Sequence, residues 1–246
     1  MKTTTDMHEI KKLARLFLMM DIQETEFSPL VVKHPFTDSG MVAYPKEDGG
    51  IAMGDITKEP EALRKWQHEI LRQIRKAETP HEISFMITKS YSLAFLKYAA
   101  PYLSLKDLSQ MLADIWVRTE APNSDPNMSQ NRLLVLFRKA DPQYLMSEEE
   151  YEVFQNLPDT VTVYRGVTSH NAGNVKVLSW TLDYDTADWF AHRFDEDGTV
   201  YEAQIDKAHI FAYFGSRNEA EVIVDPHYLM DITESEAMEQ LGEISM

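Results

Sequence analysis

The 246-residue chain is expected to fold as an α+β protein, with a helical N-terminal half packed on or preceding a mainly antiparallel β core. Three features carry this expectation. Up to Pro158, apolar residues recur at three- and four-residue steps between polar loops. Beyond Pro158, short runs rich in Val, Ile, Tyr and Phe follow one another. A single helical segment interrupts those runs, and helices first with strands later is the α+β pattern.

In chain order, "IKKLARLFLMM" reads as a short amphipathic helix. Arg15 interrupts it and no small-residue cleavage site follows, so no signal peptide is expected. "TKEPEALRKWQHEILRQIRKAET" brings Leu63, Trp66, Ile70, Leu71 and Ile74 to one helical face. "SLKDLSQMLADIWVRTE" begins with Ser104 as N-cap and Asp107 three residues on, then aligns Leu108, Met111, Leu112, Ile115 and Trp116. Ser147 with Glu150 opens a further helix, "SEEEYEVFQNL". "TDSGMVAYPKEDGG" and "APNSDPNMS" read as turn-rich connectors. The predicted strands are "VTVYRGV", "VKVLSW", "TVYEAQI", "HIFAYF" and "AEVIVD", and the helix "DTADWFAHRF", with Asp185 as N-cap, falls after the second. The expected organisation is an N-terminal helical and loop region, 1–83, to which the sequence assigns no role, although the segment before Pro80 is a candidate recognition or partner-binding unit, and a domain 84–246. That domain divides into a helical lobe, 84–157, and a β core, 158–246.

Composition narrows the function classes. A net charge of −16 and a pI near 4.9 make the molecule repel polyanions at long range, which argues against a general nucleic-acid or anionic-membrane binder. From Thr160 onward five Lys and Arg face sixteen Asp and Glu, a surface suited to solubility or to a basic protein partner. With no cysteine, disulfides, thiol nucleophiles and Cys-ligated metal sites are excluded, and a cytoplasmic location is the default expectation. The longest apolar run, Leu133 to Phe137, is too short to span a bilayer. The eight histidines never fall at metal-ligand spacing, so no metal is expected, and phosphate-loop, dinucleotide-fingerprint, HExxH and GxSxG motifs are absent.

Polar residues inside the strand-rich third stand out against this background. Arg165 sits within "VYRGV"; Ser179 and Thr181 end "VLSWT" on one face; Glu219 and Glu221 share a face of "EAEVIVD" by the same alternation. A charge in a core strand is costly unless paired, so three strands that each carry polar groups suggest a common cleft.

The order of these motifs resembles the Arg-Ser-Glu class of mono-ADP-ribosyltransferases. The matching residues are "YRG" at Tyr164 to Gly166, "SWT" at Ser179 to Thr181 followed by a helix carrying "ADWFA", and "EAE" at Glu219 to Glu221. The likeness covers about a third of the chain, Val161 to Asp231, and departs from the family at Trp180 and Thr181, where Thr and Ser are common. The resemblance implies an ADP-ribosyltransferase-type β core that uses NAD as substrate, releases nicotinamide and transfers ADP-ribose to an acceptor, with arginine of a target protein favoured.

It also implies residue roles. Glu221 would accept a hydrogen bond from the nicotinamide-ribose 2′-hydroxyl and stabilise the positive charge that develops on the ribose. Ser179 would orient Glu221 and touch the ribose, Arg165 would hold a phosphate or ribose oxygen, and Gly166 would let the backbone approach the nicotinamide amide. Thr181 would support the strand end beside the NAD site. Tyr184, Trp189 and Phe190 lie where the family stacks aromatics on nicotinamide, although the helical spacing of Phe190 with Ala187 also suits the core. Glu219 would pair bidentately with an acceptor guanidinium, beside a loop where Tyr213 or Phe214 would either stack on the acceptor or close the core. Arg193 and Asn218 would also be within reach of NAD phosphates or acceptor. Transfer to a nucleic-acid base, hydrolysis of NAD, and a non-catalytic acidic binding or inhibitor protein on a transferase-like scaffold are the alternatives.

Overall fold

A computed structural model describes residues 2–46, 49–169 and 174–235. Residues 236–246 of the expected β core, and His170, lie outside the described residues. The chain is α+β, as expected, and divides into two compact units, Met1–Tyr144 and Leu145–Met246.

The first unit opens with helix α1 (Met7–Leu18). The Asp6 carboxylate accepts from the Glu9 N–H to cap it, and Ile10, Ala14, Phe17 and Leu18 form its buried stripe. Strands β1 (Gln23–Glu24), β2 (Val31–His34) and β3 (Thr37–Ser39) make a small antiparallel sheet, and β4 (Met41–Pro45) and β5 (Ile51–Asp55) form a hairpin. The stretch expected as a connector therefore holds strands. Its turn-forming residues mark the hairpin's tip, while Val42 and Gly54 face inward against helix α2 (Pro60–Lys76), where a Cβ on Gly54 would lie 2.6 Å from that of Ala62. Helices α3 (Pro80–Met86), α4 (Lys89–Ala99), α5 (Leu105–Arg118) and α6 (Gln130–Phe137) and the short α7 (Pro142–Leu145) follow. Ser104 caps α5 as expected, and all five residues of its predicted stripe are buried.

A domain boundary at 83/84 would cut α3 between its buried Ile83 and Ser84, although this helix packs on both α1 and α5. Contacts that cross residue 84 hold the N-terminal helices together, so the division falls near Tyr144. The expected helical lobe divides accordingly, and of it α8 (Glu148–Gln155) belongs with the sheet.

The second unit is a six-stranded antiparallel sheet made of β6 (Thr160–Val167), β7 (Ser179–Thr181), β8 (Thr199–Asp206), β9 (Ile210–Phe214), β10 (Glu221–Val224) and β11 (Met230–Glu234), in the order β11-β8-β6-β7-β10-β9. Strand β11 has no counterpart among the expected strands. It is an edge strand with an irregular register and mostly exposed side chains, so it lacks the apolar alternation that marks the others.

One core gathers Val161 and Val163 from β6, Trp180 from β7, Ala203 and Ile205 from β8, and Val222 and Val224 from β10, with Phe154 of α8 packed against it. Each fully buried Val or Ile among them contributes roughly 1.5–3 kcal/mol. The smaller core seats helix α9 (Tyr184–His192), whose Ala187 and Ala191 meet Val200 beside Tyr164. The N-cap of α9 is Asp183, two residues earlier than expected: its carboxylate accepts from both the backbone N–H and the hydroxyl of Thr186.

Candidate functional site

Sheet order sets the three polar-bearing strands side by side, β6, β7 and β10. In register, Thr181 lies opposite Tyr164 on one side and Glu221 on the other, while Ser179 lies opposite Ile223. Because side chains alternate, Ser179, Thr181 and Glu221 share one face. Ser179 is thus diagonal to Glu221, within reach across the pair, and its hydroxyl donates to Glu221 Oε1 at 2.5 Å. Only 5% of Glu221 is exposed, so a carboxylate there needs such partners.

Arg165 stands one step beyond the Tyr164–Thr181 pair, and its Nη1 donates to the Ser179 carbonyl at 2.9 Å. Its Nε is buried and makes no hydrogen bond among the described residues. Burial pulls the guanidinium down to about 10, against the opposing pull of the Glu221 carboxylate, so Arg165 stays charged at neutral pH. A shielded cation with an unused donor is equipped to bind an oxyanion.

Glu219 reaches the same place by a different route from the one expected. It lies outside β10, and Asn218 and Ala220 on either side have φ of 59° and 42°, so strand alternation does not relate it to Glu221. The Thr181 hydroxyl donates to the Glu219 carbonyl at 2.6 Å and the Leu182 N–H to the Ala220 carbonyl at 3.0 Å. Thr181 also accepts from the Asp183 N–H at 3.1 Å, so its hydroxyl ties the end of β7 to the glutamate loop and to the start of α9.

Two contributors escaped the sequence reading. Nη2 of Arg217 lies 2.8 Å from Glu219 Oε2 and 3.3 Å from Glu221 Oε2, bridging the two carboxylates. Its spacing, two and four residues before the glutamates, was visible, but the loop that folds it back was not. Glu150 completes the capping box that the sequence predicts at the start of α8. Its other oxygen accepts from the Gly215 N–H at 2.9 Å and anchors the start of the glutamate loop.

The remaining predicted residues are placed as follows. Gly166 faces α9: a Cβ there would lie 2.1 Å from the Ala187 carbonyl and 2.9 Å from Phe190 Cβ, so the missing side chain permits close helix–strand packing. Tyr184 packs edge-on against Tyr164, with ring centroids 5.6 Å apart, and burial, with Asp188 and Asp185, pushes its phenol up. Phe190 is partly exposed, edge-on to Trp189, and the Arg193 guanidinium lies over its ring at 5.1 Å. Trp189 is 62% exposed, and Asn218 is exposed as well. Phe214 is buried at 3% exposure and is part of the sheet interior, which removes it as a stacking platform for an acceptor, whereas Tyr213 is partly exposed. Among the described residues no cluster of three His, Asp or Glu is arranged to hold a metal ion, and no helix is long and apolar enough to cross a membrane.

Comparison of the chain with protein-family models, curated proteins and solved structures finds no match.

Proposed function

We propose that the unit Leu145–Met246 is a mono-ADP-ribosyltransferase that cleaves NAD between nicotinamide and ribose and passes ADP-ribose to arginine of a target protein. One observation carries the reading: a nearly buried glutamate, Glu221, is oriented by Ser179 on the adjacent strand, with Arg165 one strand further and a second glutamate, Glu219, on the rim. A sheet face built only for solubility would not hold a carboxylate in this way.

The chain's own groups divide the work. Glu221 has Oε1 fixed by Ser179 and directs Oε2 to the ribose 2′-hydroxyl, where a preorganised negative charge is stabilised most as the ribose becomes cationic. Arg165 contributes an unused buried N–H to a phosphate oxygen of NAD. Glu219, a quarter exposed at its side chain, pairs with the acceptor guanidinium and takes its proton. Its present guanidinium partner, Arg217, supports this assignment. The strong negative charge of the chain favours a cationic acceptor over a polyanionic one.

The test is to incubate the protein with labelled NAD, with and without a cell lysate. Nicotinamide release is expected from the wild type and is expected to fall about a hundredfold or more in Glu221→Ala. Glu219→Ala is expected to lose transfer and retain hydrolysis, and Arg165→Ala to raise KM for NAD. Equal release by wild type and Glu221→Ala would overturn the assignment, and label removed from the lysate by nuclease instead of protease would overturn the protein-arginine acceptor.

A further inference from the structure

We infer that Arg217 is itself an acceptor: the chain carries its own guanidinium in the acceptor position and is modified there in cis. The inference rests on the NAD-cleaving reading given above. What sets Arg217 apart from an ordinary surface ion pair is the identity of its two partners. A single nitrogen, Nη2, contacts both Glu219 Oε2 and Glu221 Oε2, whereas Ser179 occupies the other oxygen of Glu221. Glu221 Oε2, the oxygen that the transferase reading assigns to the ribose 2′-hydroxyl, is the one that Arg217 contacts. A nitrogen 3.3 Å from that oxygen stands beside the carbon next to the hydroxyl-bearing one, the atom at which transfer occurs.

The loop supports the same placement. Arg217 lies between Gly215, whose N–H is held by Glu150, and Asn218 and Ala220, whose positive φ values turn the chain back toward the sheet. The side chain remains about a third exposed, so the guanidinium has room to carry a bulky adduct into solvent.

The step balances without any further reactant. Glu219 takes a proton from the Arg217 guanidinium, the freed Nη2 forms a bond to C1′ of the nicotinamide ribose, and the C1′–N bond to nicotinamide breaks with its electron pair leaving on the ring nitrogen. NAD and arginine become ADP-ribosyl-arginine, neutral nicotinamide and one proton, which Glu219 returns to solvent. Once the adduct forms, its bulk occupies the place where an external guanidinium would pair with Glu219, so modification in cis shuts off transfer in trans.

The experiment uses the intact chain with NAD alone. Nicotinamide release is followed, the modified residue is located by peptide mass spectrometry, and the rate is measured over a tenfold range of protein concentration. One ADP-ribosyl group on Arg217, formed at a fractional rate independent of protein concentration, is expected. Nicotinamide release with Arg217 unmodified overturns this inference and leaves the transferase reading intact. A fractional rate proportional to protein concentration places the reaction between molecules and overturns the cis assignment. Absence of nicotinamide release overturns the NAD-cleaving reading and the inference with it. A second variant, Glu219→Gln, retains a side chain that can accept a hydrogen bond from Arg217 but not its proton, and is expected to lower adduct formation on Arg217 at least tenfold at unchanged thermal stability. An undiminished rate in that variant overturns the role of Glu219 as base.

Discussion

Replacing Gly166 by alanine tests the packing that brings α9 against the sheet. The added Cβ would stand 2.1 Å from the Ala187 carbonyl oxygen, 2.6 Å from the Ala191 nitrogen and 2.9 Å from Phe190 Cβ. Two of these three atoms belong to the helix backbone and cannot rotate away. To restore the closest contact to 3.0 Å, below which real Cβ contacts essentially never fall, the helix must retreat by about 0.9 Å from β6, dragging Ala187 and Ala191 off Val200. Overpacking of this kind costs about 3 kcal/mol at its upper range. Roughly 0.5–1 kcal/mol returns because alanine restricts the unfolded chain, and about 2 kcal/mol of destabilisation remains. For a unit of about 100 residues this lowers the melting midpoint by about 8–16 °C. Differential scanning calorimetry of the intact chain reads it directly. Gly215→Ala is the control, because the Cβ there would stand 3.2 Å from the movable hydroxyl end of Tyr213. A Gly166→Ala transition within about 2 °C of wild type would refute the claim that backbone contact, and not the needs of a bound ligand, requires glycine at this position.

Two further perturbations address other parts of the molecule. His34 is fully buried, accepts from the Phe36 N–H through Nδ1 at 3.1 Å and lies edge-on to Trp66, and burial holds its pKa below the usual 6.5, against the raising effect of the Leu18 and Met20 backbone. The unfolded chain therefore takes up a proton first as pH falls through 6.5, so stability declines from there toward the lower folded pKa, by at most about 1.4 kcal/mol per pH unit. Urea midpoints at pH 7.5 and 5.0 check it, and a His34→Leu variant with the same pH slope as wild type would rule out His34 as the cause. At α8, Ser147→Ala removes one half of the capping box and is expected to cost about 1 kcal/mol. Glu150→Ala removes the other half together with the Gly215 bond and is expected to cost about 2 kcal/mol by denaturant titration, so equal effects of the two substitutions would show that the Gly215 contact contributes nothing.

What could be read from the sequence was whatever a local period records. The stripe of α5 and the caps at Ser104 and Ser147 follow from spacing alone, because the interactions that form them span three or four residues. Of "VKVLSW" only Ser179 and Trp180 are strand and Val175 to Leu178 are not, whereas the other four of the five apolar strands were legible from their own composition. Strands β2 to β5 were not, because each is short and mixed in character, and their hairpin and sheet partners, with the helix over Gly54, decide their conformation. The site divides along the same line. Arg165, Ser179 and Glu221 could be named because each lies at a fixed place in a strand; adjacency in the sheet brings Ser179 to Glu221, and Arg165 reaches the Ser179 carbonyl from the next strand. Arg217 and the second role of Glu150 depend on a loop path, for which no sequence period exists.

The glutamate loop gives the two carboxylates separate environments at a spacing of one intervening residue. Within a regular strand, Glu219 and Glu221 would point the same way, with equivalent surroundings. Positive φ at Asn218 and Ala220 breaks that equivalence, at roughly 1 kcal/mol for each non-glycine residue held there. The strain persists because three hydrogen bonds fix the loop from outside it: Glu150 to Gly215, Thr181 to the Glu219 carbonyl, and Leu182 to the Ala220 carbonyl. Glu221 is left in the sheet, shielded and held by Ser179, with an environment suited to a fixed negative charge. Glu219 is left at the rim, more exposed and bound to a guanidinium, with an environment suited to a group that exchanges partners. The two environments on which the proposed division of labour rests thus follow from where the strand begins, one residue after Ala220, and Thr181 and Glu150, which hold the loop at that boundary, shape the candidate site without needing to touch a substrate.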